Sequence, residues 1–134
     1  MTLLIDRYQR PIDYLRVSIT DRCDLRCIYC TPLGGSPKLD HDDILSYEEF
    51  LHLIQVAVDM GITKVRLTGG EPLVRKGVTD FCSRLAALPG LQSLSLTTNG
   101  VMLEELAQDV YNAGIRRINI SLDTLQPQKF LRIT

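Results

Sequence analysis

The sequence is short of the features that would place it outside the ordinary globular class. No apolar run approaches the roughly 18 residues a membrane span needs, because charged or polar residues interrupt every stretch. Glycine and proline are sparse, 9 and 6 of 134 residues, which excludes collagenous and low-complexity chains. Neither sign of charge is in excess. The 15 Lys and Arg against 16 Asp and Glu leave a net charge of −1, and nothing in that balance suggests a nucleic-acid or membrane surface. The N-terminal MTLLIDRYQR has no extended apolar core after a basic start, so no signal peptide is expected. What is present is 45% hydrophobic and 23% charged residues, enough apolar mass to exclude disorder, in a length that suits one domain. Four cysteines remain to be explained.

Cys23, Cys27 and Cys30 crowd together, while Cys82 lies alone. Without an export signal the expected compartment is the cytoplasm, where thiols stay reduced and clustered cysteines point to metal or redox chemistry. Positions 23, 27 and 30 would share one face of a helix. Yet Arg22, Asp24 and Arg26 are interleaved and Thr31-Pro32-Leu33-Gly34-Gly35 follows as a loop. A closed zinc site needs four ligands, so His41 or Cys82 would have to complete it. An iron–sulfur cubane takes one thiolate per iron, and three thiolates leave one iron open to chelate a small molecule. Cys82, flanked by Phe81 on a helix that also carries Leu85, reads as core. His41 and His52 read as surface or loop residues.

The rest of the chain alternates strand and helix patterns. Strands are expected at Tyr14–Thr20, Lys64–Thr68, Leu91–Thr98 and Arg116–Leu122. Helices are expected from Ser46 to Met60, near Val78–Leu88 and near Leu103–Ala113. The first has Ser46 and Glu49 as a capping box, Gly61 as its stop, and Phe50, Leu53, Ile54, Ala57 and Val58 as its apolar set. This alternation predicts an α/β fold with a parallel sheet and right-handed crossovers. Each strand is apolar on one side and polar on the other, whereas parallel strands covered on both faces read as continuous apolar runs. Arg16, Ser18 and Thr20 lie opposite Leu15, Val17 and Ile19; the later strands repeat the pattern down to Arg117, Asn119 and Ser121. A polar inner face suggests part of a barrel with a ligand cavity, and such folds gather their chemistry at the C-terminal ends of the strands. The cysteines, Gly69-Gly70-Glu71-Pro72, Thr97-Thr98-Asn99-Gly100 and Ser121-Leu122-Asp123 all fall on that rim. The Gly-Gly segment would let backbone approach a ligand closely, with the Glu71 carboxylate helping to hold a zwitterionic group. Inward Arg16 and Arg66 require anions: either a bound phosphate or an ion pair with Glu71 or Asp123. Asn99-Gly100 reads first as a turn.

Cys23-x3-Cys27-x2-Cys30, with Tyr29 before the third cysteine and Gly69-Gly70-Glu71-Pro72 downstream, resembles the radical S-adenosylmethionine superfamily. Residues 7–23, 65–73, 97–100 and 120–123 are similar, in order and spacing, to the GTP 3′,8-cyclase family (the A proteins of molybdenum cofactor biosynthesis). The resemblance implies a partial (βα)6 TIM-like radical SAM barrel of about four parallel strands with flanking helices. It implies a [4Fe–4S] cluster on Cys23, Cys27 and Cys30, with S-adenosyl-L-methionine held by Tyr29, Gly70 and Ser121 and chelating the open iron. GTP would be held by Arg16, Arg66 and Thr97. A 5′-deoxyadenosyl radical would abstract the 3′ hydrogen of GTP ribose, and the substrate radical would attack C8. The implied partners are GTP and an electron donor, with a homodimer allowed in the full-length form and no nucleic acid or membrane. Members of the family continue well past residue 134 into further strands, a second cluster and a later GTP-binding lysine. Residues 1–134 are therefore expected to be the N-terminal part of a radical SAM core domain, incomplete for cyclisation by themselves. Two other readings stand beside this one: a radical SAM enzyme acting on a peptide or protein, and a non-catalytic Cys3His zinc scaffold.

Overall fold

The computed structural model describes residues 4–32, 34, 35 and 37–134. Its strands are β1 (Tyr14–Ser18), β2 (Lys64–Thr68), β3 (Ser93–Thr98) and β4 (Arg117–Ile120). Its helices are α1 (Tyr47–Asp59), α2 (Val78–Ala86), α3 (Leu103–Asn112) and α4 (Pro127–Ile133). The strands form one parallel sheet in the order β1-β2-β3-β4, so each neighbouring pair is joined by a crossover containing a helix. The described strands do not close on themselves. The architecture is a partial α/β barrel: the parallel sheet follows the strand–helix alternation, and the open barrel agrees with the polar inner faces and the family resemblance.

Local chemistry accounts for the elements. The Glu49 backbone N–H donates to Ser46 Oγ at 3.2 Å and the Ser46 N–H donates to Glu49 Oε2 at 2.7 Å, which forms the expected capping box of α1. Gly61, at φ +105°, then supplies the left-handed residue that ends the helix. Along α1, Phe50, Ile54 and Val58 recur every fourth residue and are buried. Leu53, expected in this set, is 53% exposed, because it lies off that stripe.

β2 matches its expected bounds, while β1 ends early at Ser18, β3 begins late at Ser93, and β4 is trimmed at both ends to Arg117–Ile120. Beyond Ser18, the Ile19 N–H makes one more bond to the Thr68 carbonyl, at 3.0 Å. The Arg22 N–H then donates to Thr20 Oγ1, at 3.1 Å, and turns the chain out of the sheet into the cysteine segment.

The core lies between the sheet and α1, α2 and α3. Val65, Leu67 and Leu96 are fully buried and Leu94 nearly so, packed with Phe81, Cys82, Leu85 and Val110. Cys82 is thus a core residue, as its sequence context predicted; burial pushes its thiol up to about 12. Phe81 stacks on Tyr47 with ring centroids 4.4 Å apart. Arg75 ties this core to the rim. Its guanidinium lies 4.2 Å from the Tyr47 ring centroid and donates to the carbonyls of Ile19 and Leu45, at 2.5 and 2.7 Å. The ends of β1 and β2 and the entry to α1 are therefore fixed relative to one another. Among the described residues, no helix is long and apolar enough to cross a membrane.

Candidate functional site

The cysteine segment, residues 22–30, is irregular backbone and not a helix. It ends in a turn in which the N–H groups of Cys30 and Thr31 both donate to the Cys27 carbonyl at 2.9 Å. This segment arches over the C-terminal ends of the strands, and beneath it lies a cavity of about 250 Å³. The lining includes Cys23, Cys27, Cys30, Tyr29, Gly70, Ser121, Arg16 and Thr97. Of the nine site residues expected from sequence, Arg66 alone is outside this lining; it stands beside Arg16 on the same face of the sheet. A smaller cavity of about 140 Å³ shares Cys23, Cys30 and Gly70 with the first.

Gly69 and Gly70 act differently from the simplest expectation. The backbone that approaches them is the protein's own. A Cβ on Gly70 would stand 2.2 Å from the Arg22 carbonyl oxygen, and one on Gly69 would stand 2.6 Å from that of Thr20. The N–H groups of Gly70 and Glu71 donate to the Thr20 and Arg22 carbonyls, both at 2.7 Å. The glycines let the entry of the cysteine segment sit directly on the end of β2.

Glu71 also departs from expectation. Its side chain is 1% exposed and both oxygens are engaged inside the protein. Oε1 accepts from Thr98 Oγ1 at 2.7 Å and from the Leu73 N–H at 3.1 Å, and Oε2 accepts from the Asn99 N–H at 2.6 Å. The carboxylate staples the end of β2 to the end of β3 and forms no ion pair with Arg16 or Arg66. Asp123, the other carboxylate considered for those arginines, accepts from the Tyr29 hydroxyl at 2.9 Å. This bond holds the cysteine segment across the cavity mouth to the end of β4. The bond to Asp123, with the neighbouring Cys27 thiol as the second cause, raises the Tyr29 pKa.

Sequence reasoning missed Asn99. Its turn role is real: Oδ1 accepts from the Val101 N–H at 2.9 Å and Gly100 has φ +86°. Its amide nitrogen also reaches across the cavity, to Asp24 Oδ1 at 2.7 Å and Cys23 Sγ at 3.9 Å. Nothing in a local Asn-Gly pattern reveals this contact between residues 75 and 76 positions apart.

All four cysteines are free thiols, and burial raises the pKa of Cys23. Among the described residues, no three His, Cys, Asp or Glu side chains converge tightly enough to hold a single ion. The three rim thiols instead ring a cavity. Three thiols on one cavity, with His41 in the lining of a different one, are the donor set of a cluster whose thiolates bind separate irons. The Leu25 N–H, 3.4 Å from Cys23 Sγ, supplies the kind of donor that stabilises a ligating thiolate. The donor set therefore fits an iron–sulfur cluster with one open iron.

Comparison with known proteins agrees with this geometry. The radical SAM superfamily profile matches residues 17–134. The GTP 3′,8-cyclase of Thermodesulfovibrio yellowstonii is 55% identical over 130 residues, covering 96% of this chain and 40% of that protein. The one from Geobacter sulfurreducens is 56% identical over 131 residues, covering 98% and 40%. The chain thus spans about 40% of the length of these curated relatives. Among solved structures, Streptococcus suis SuiB bound to the precursor peptide SuiA superposes with a TM-score of 0.69 at 19% identity, over 90% of this chain and 26% of that one. BtrN in complex with AdoMet and 2-DOIA superposes with a TM-score of 0.63 at 19% identity, over 99% and 52%. At that identity the two structures speak for the fold alone.

Proposed function

We propose, from the premise that this chain belongs to the radical SAM superfamily, that it carries the cluster, S-adenosylmethionine and part of the GTP site of a GTP 3′,8-cyclase, an enzyme of molybdenum cofactor biosynthesis. The observation that carries this reading is the convergence of eight of the nine expected residues on one cavity at the C-terminal rim. Identity above 50% to proteins named GTP 3′,8-cyclase supports the substrate.

In this reading Cys23, Cys27 and Cys30 hold a [4Fe–4S] cluster. When bound and reduced by an external electron donor, the cluster would supply the one electron that splits S-adenosylmethionine into methionine and a 5′-deoxyadenosyl radical, the oxidant required to take the 3′ hydrogen of GTP. The protein's own groups orient the two small molecules. Tyr29, its hydroxyl fixed by Asp123, forms one wall for S-adenosylmethionine, with Gly70 and Ser121 along the strand ends. Thr97 and Arg16 offer a hydroxyl and a guanidinium on the cavity floor, and Arg66 lies next to Arg16 for the phosphates. The Glu71 staple keeps Thr98 and Asn99 in place, so the floor is formed before ligands arrive. Because β4 leaves the sheet open, residues 1–134 are assigned binding and radical initiation, and product formation is not expected from them alone.

Titration of the anaerobically reconstituted chain with GTP tests the substrate. Saturable GTP binding that Arg16→Ala and Arg66→Ala each weaken by about tenfold or more is the expected result. Hydrogen abstraction from a peptide with no dependence on GTP would instead support a peptide-modifying enzyme and overturn this assignment.

A further inference from the structure

The strand register places a third arginine beside the two already considered. Arg16 of β1 pairs with Arg66 of β2, Arg66 pairs with Ser95 of β3, and Ser95 pairs with Arg117 of β4. Residues in register in a parallel sheet point to the same face, so the three guanidinium stems rise from a single row on the open side. Adjacent strands lie about 4.8 Å apart, so the row extends over roughly 14 Å. Ser95 fills the gap with the smallest polar side chain and directs its hydroxyl down to the Val65 carbonyl at 3.3 Å.

Three further observations set this row apart from a solvated charge cluster. The strand residues on this face include no carboxylate. None of the three arginines forms an ion pair among the described residues, whereas Lys64, one row below, is matched by Asp13 at 2.7 Å. Arg66 Nε is buried and has no hydrogen-bond partner. An unsatisfied guanidinium nitrogen beside two unpaired arginines is unfavourable unless an anion completes it.

We propose that Arg117 is a third phosphate contact, and that Arg16, Arg66 and Arg117 together receive a polyphosphate laid across the strands. This deepens the GTP reading and rests on it only for the nucleoside. The row takes the triphosphate, which leaves the ribose beneath the cysteine segment, where Thr97 and Ser121 line the cavity. Planar forks on neighbouring strands suit several phosphates better than a single one, because each guanidinium binds two oxygens in a fixed geometry.

The test is equilibrium titration of the chain and its Arg117→Ala and Arg117→Lys forms with GTP, inorganic tripolyphosphate and guanosine. Arg117 lies on an exposed strand, and matching thermal melts establish that the variants fold. Arg117→Ala should weaken GTP and tripolyphosphate by the same factor, about tenfold, and flatten the salt dependence of both, with guanosine unaffected. Arg117→Lys, which keeps the charge without the fork, should fall between. Unchanged GTP and tripolyphosphate affinity in Arg117→Ala would overturn the proposal while leaving the GTP reading standing. Binding of tripolyphosphate but not GTP by the unaltered chain, with loss in Arg117→Ala, would support the row and overturn the GTP reading. Binding of neither overturns both.

Discussion

On the helix-covered side of the sheet, Val65, Leu67, Leu94 and Leu96 are between 0 and 6% exposed and meet apolar partners. On the other side of the same strands stand Arg16, Arg66, Ser95, Thr97 and Arg117. Two charged groups, buried Glu71 and half-buried Arg66, mark the difference. Glu71, at the rim, has both oxygens filled by Thr98, Asn99 and Leu73 and therefore acts as scaffold. Arg66, on the open face, keeps a buried nitrogen with no partner. The saturated carboxylate holds the strand ends in place, whereas the unpartnered guanidinium nitrogen is the observation behind the proposed phosphate site.

That contrast predicts a separation of stability from binding. Leu67→Ala, in the covered core, should lower unfolding free energy by about 2–5 kcal/mol in urea denaturation. Thr97→Ala, across the sheet, should leave the urea midpoint nearly unchanged and weaken GTP. A large stability loss from Thr97→Ala would break the comparison.

Glu71→Ala should be the next most damaging change, at about 2–3 kcal/mol, because it strands the buried Thr98 hydroxyl and the Asn99 N–H. It should also release Asn99 from Asp24 and speed alkylation of Cys23 by iodoacetamide. Glu71→Gln, which can still accept, should recover part of both effects.

Cys82 sharpens the comparison through pH. Its folded pKa is pushed from the ordinary 9.0 up to about 12 by burial, so the unfolded chain loses its proton first. The stability this thiol contributes is complete below about pH 9 and falls as pH rises toward 12. By pH 10 the loss is on the order of 1 kcal/mol, and Cys82→Ala should remove that component of the alkaline slope. Tyr47, raised to about 12 chiefly by burial, acts in the same direction at higher pH. The smallest effect is expected from Arg84→Ala, which removes a surface pair with Glu48 and should leave the thermal transition in place.

Much of this was legible in local sequence because the causes are local. Ser46 with Glu49, the period-two alternation of Lys64–Thr68, and Gly61 and Gly100 each encode their structure within a few residues. The nine candidate site residues were chosen for their shared rim and family resemblance, and the fold brings eight of them to one cavity. What stayed hidden depends on contacts distant in sequence. The Glu71 staple spans 27 and 28 positions, the Tyr29–Asp123 bond spans 94, and the arginine row exists only once the register of four strands is set. Gly70 was recognised as a place of close approach, but which backbone approaches it is a tertiary fact.

The most direct test of the central claim is anaerobic reconstitution with iron and sulfide, followed by electron paramagnetic resonance of the reduced chain with and without S-adenosylmethionine. The account predicts about four irons and four sulfides per chain, a [4Fe–4S] signal that changes on adding S-adenosylmethionine, and loss of the signal in Cys23→Ala, Cys27→Ala or Cys30→Ala. One tightly held zinc with no labile sulfide, or a cluster signal indifferent to S-adenosylmethionine, would contradict it.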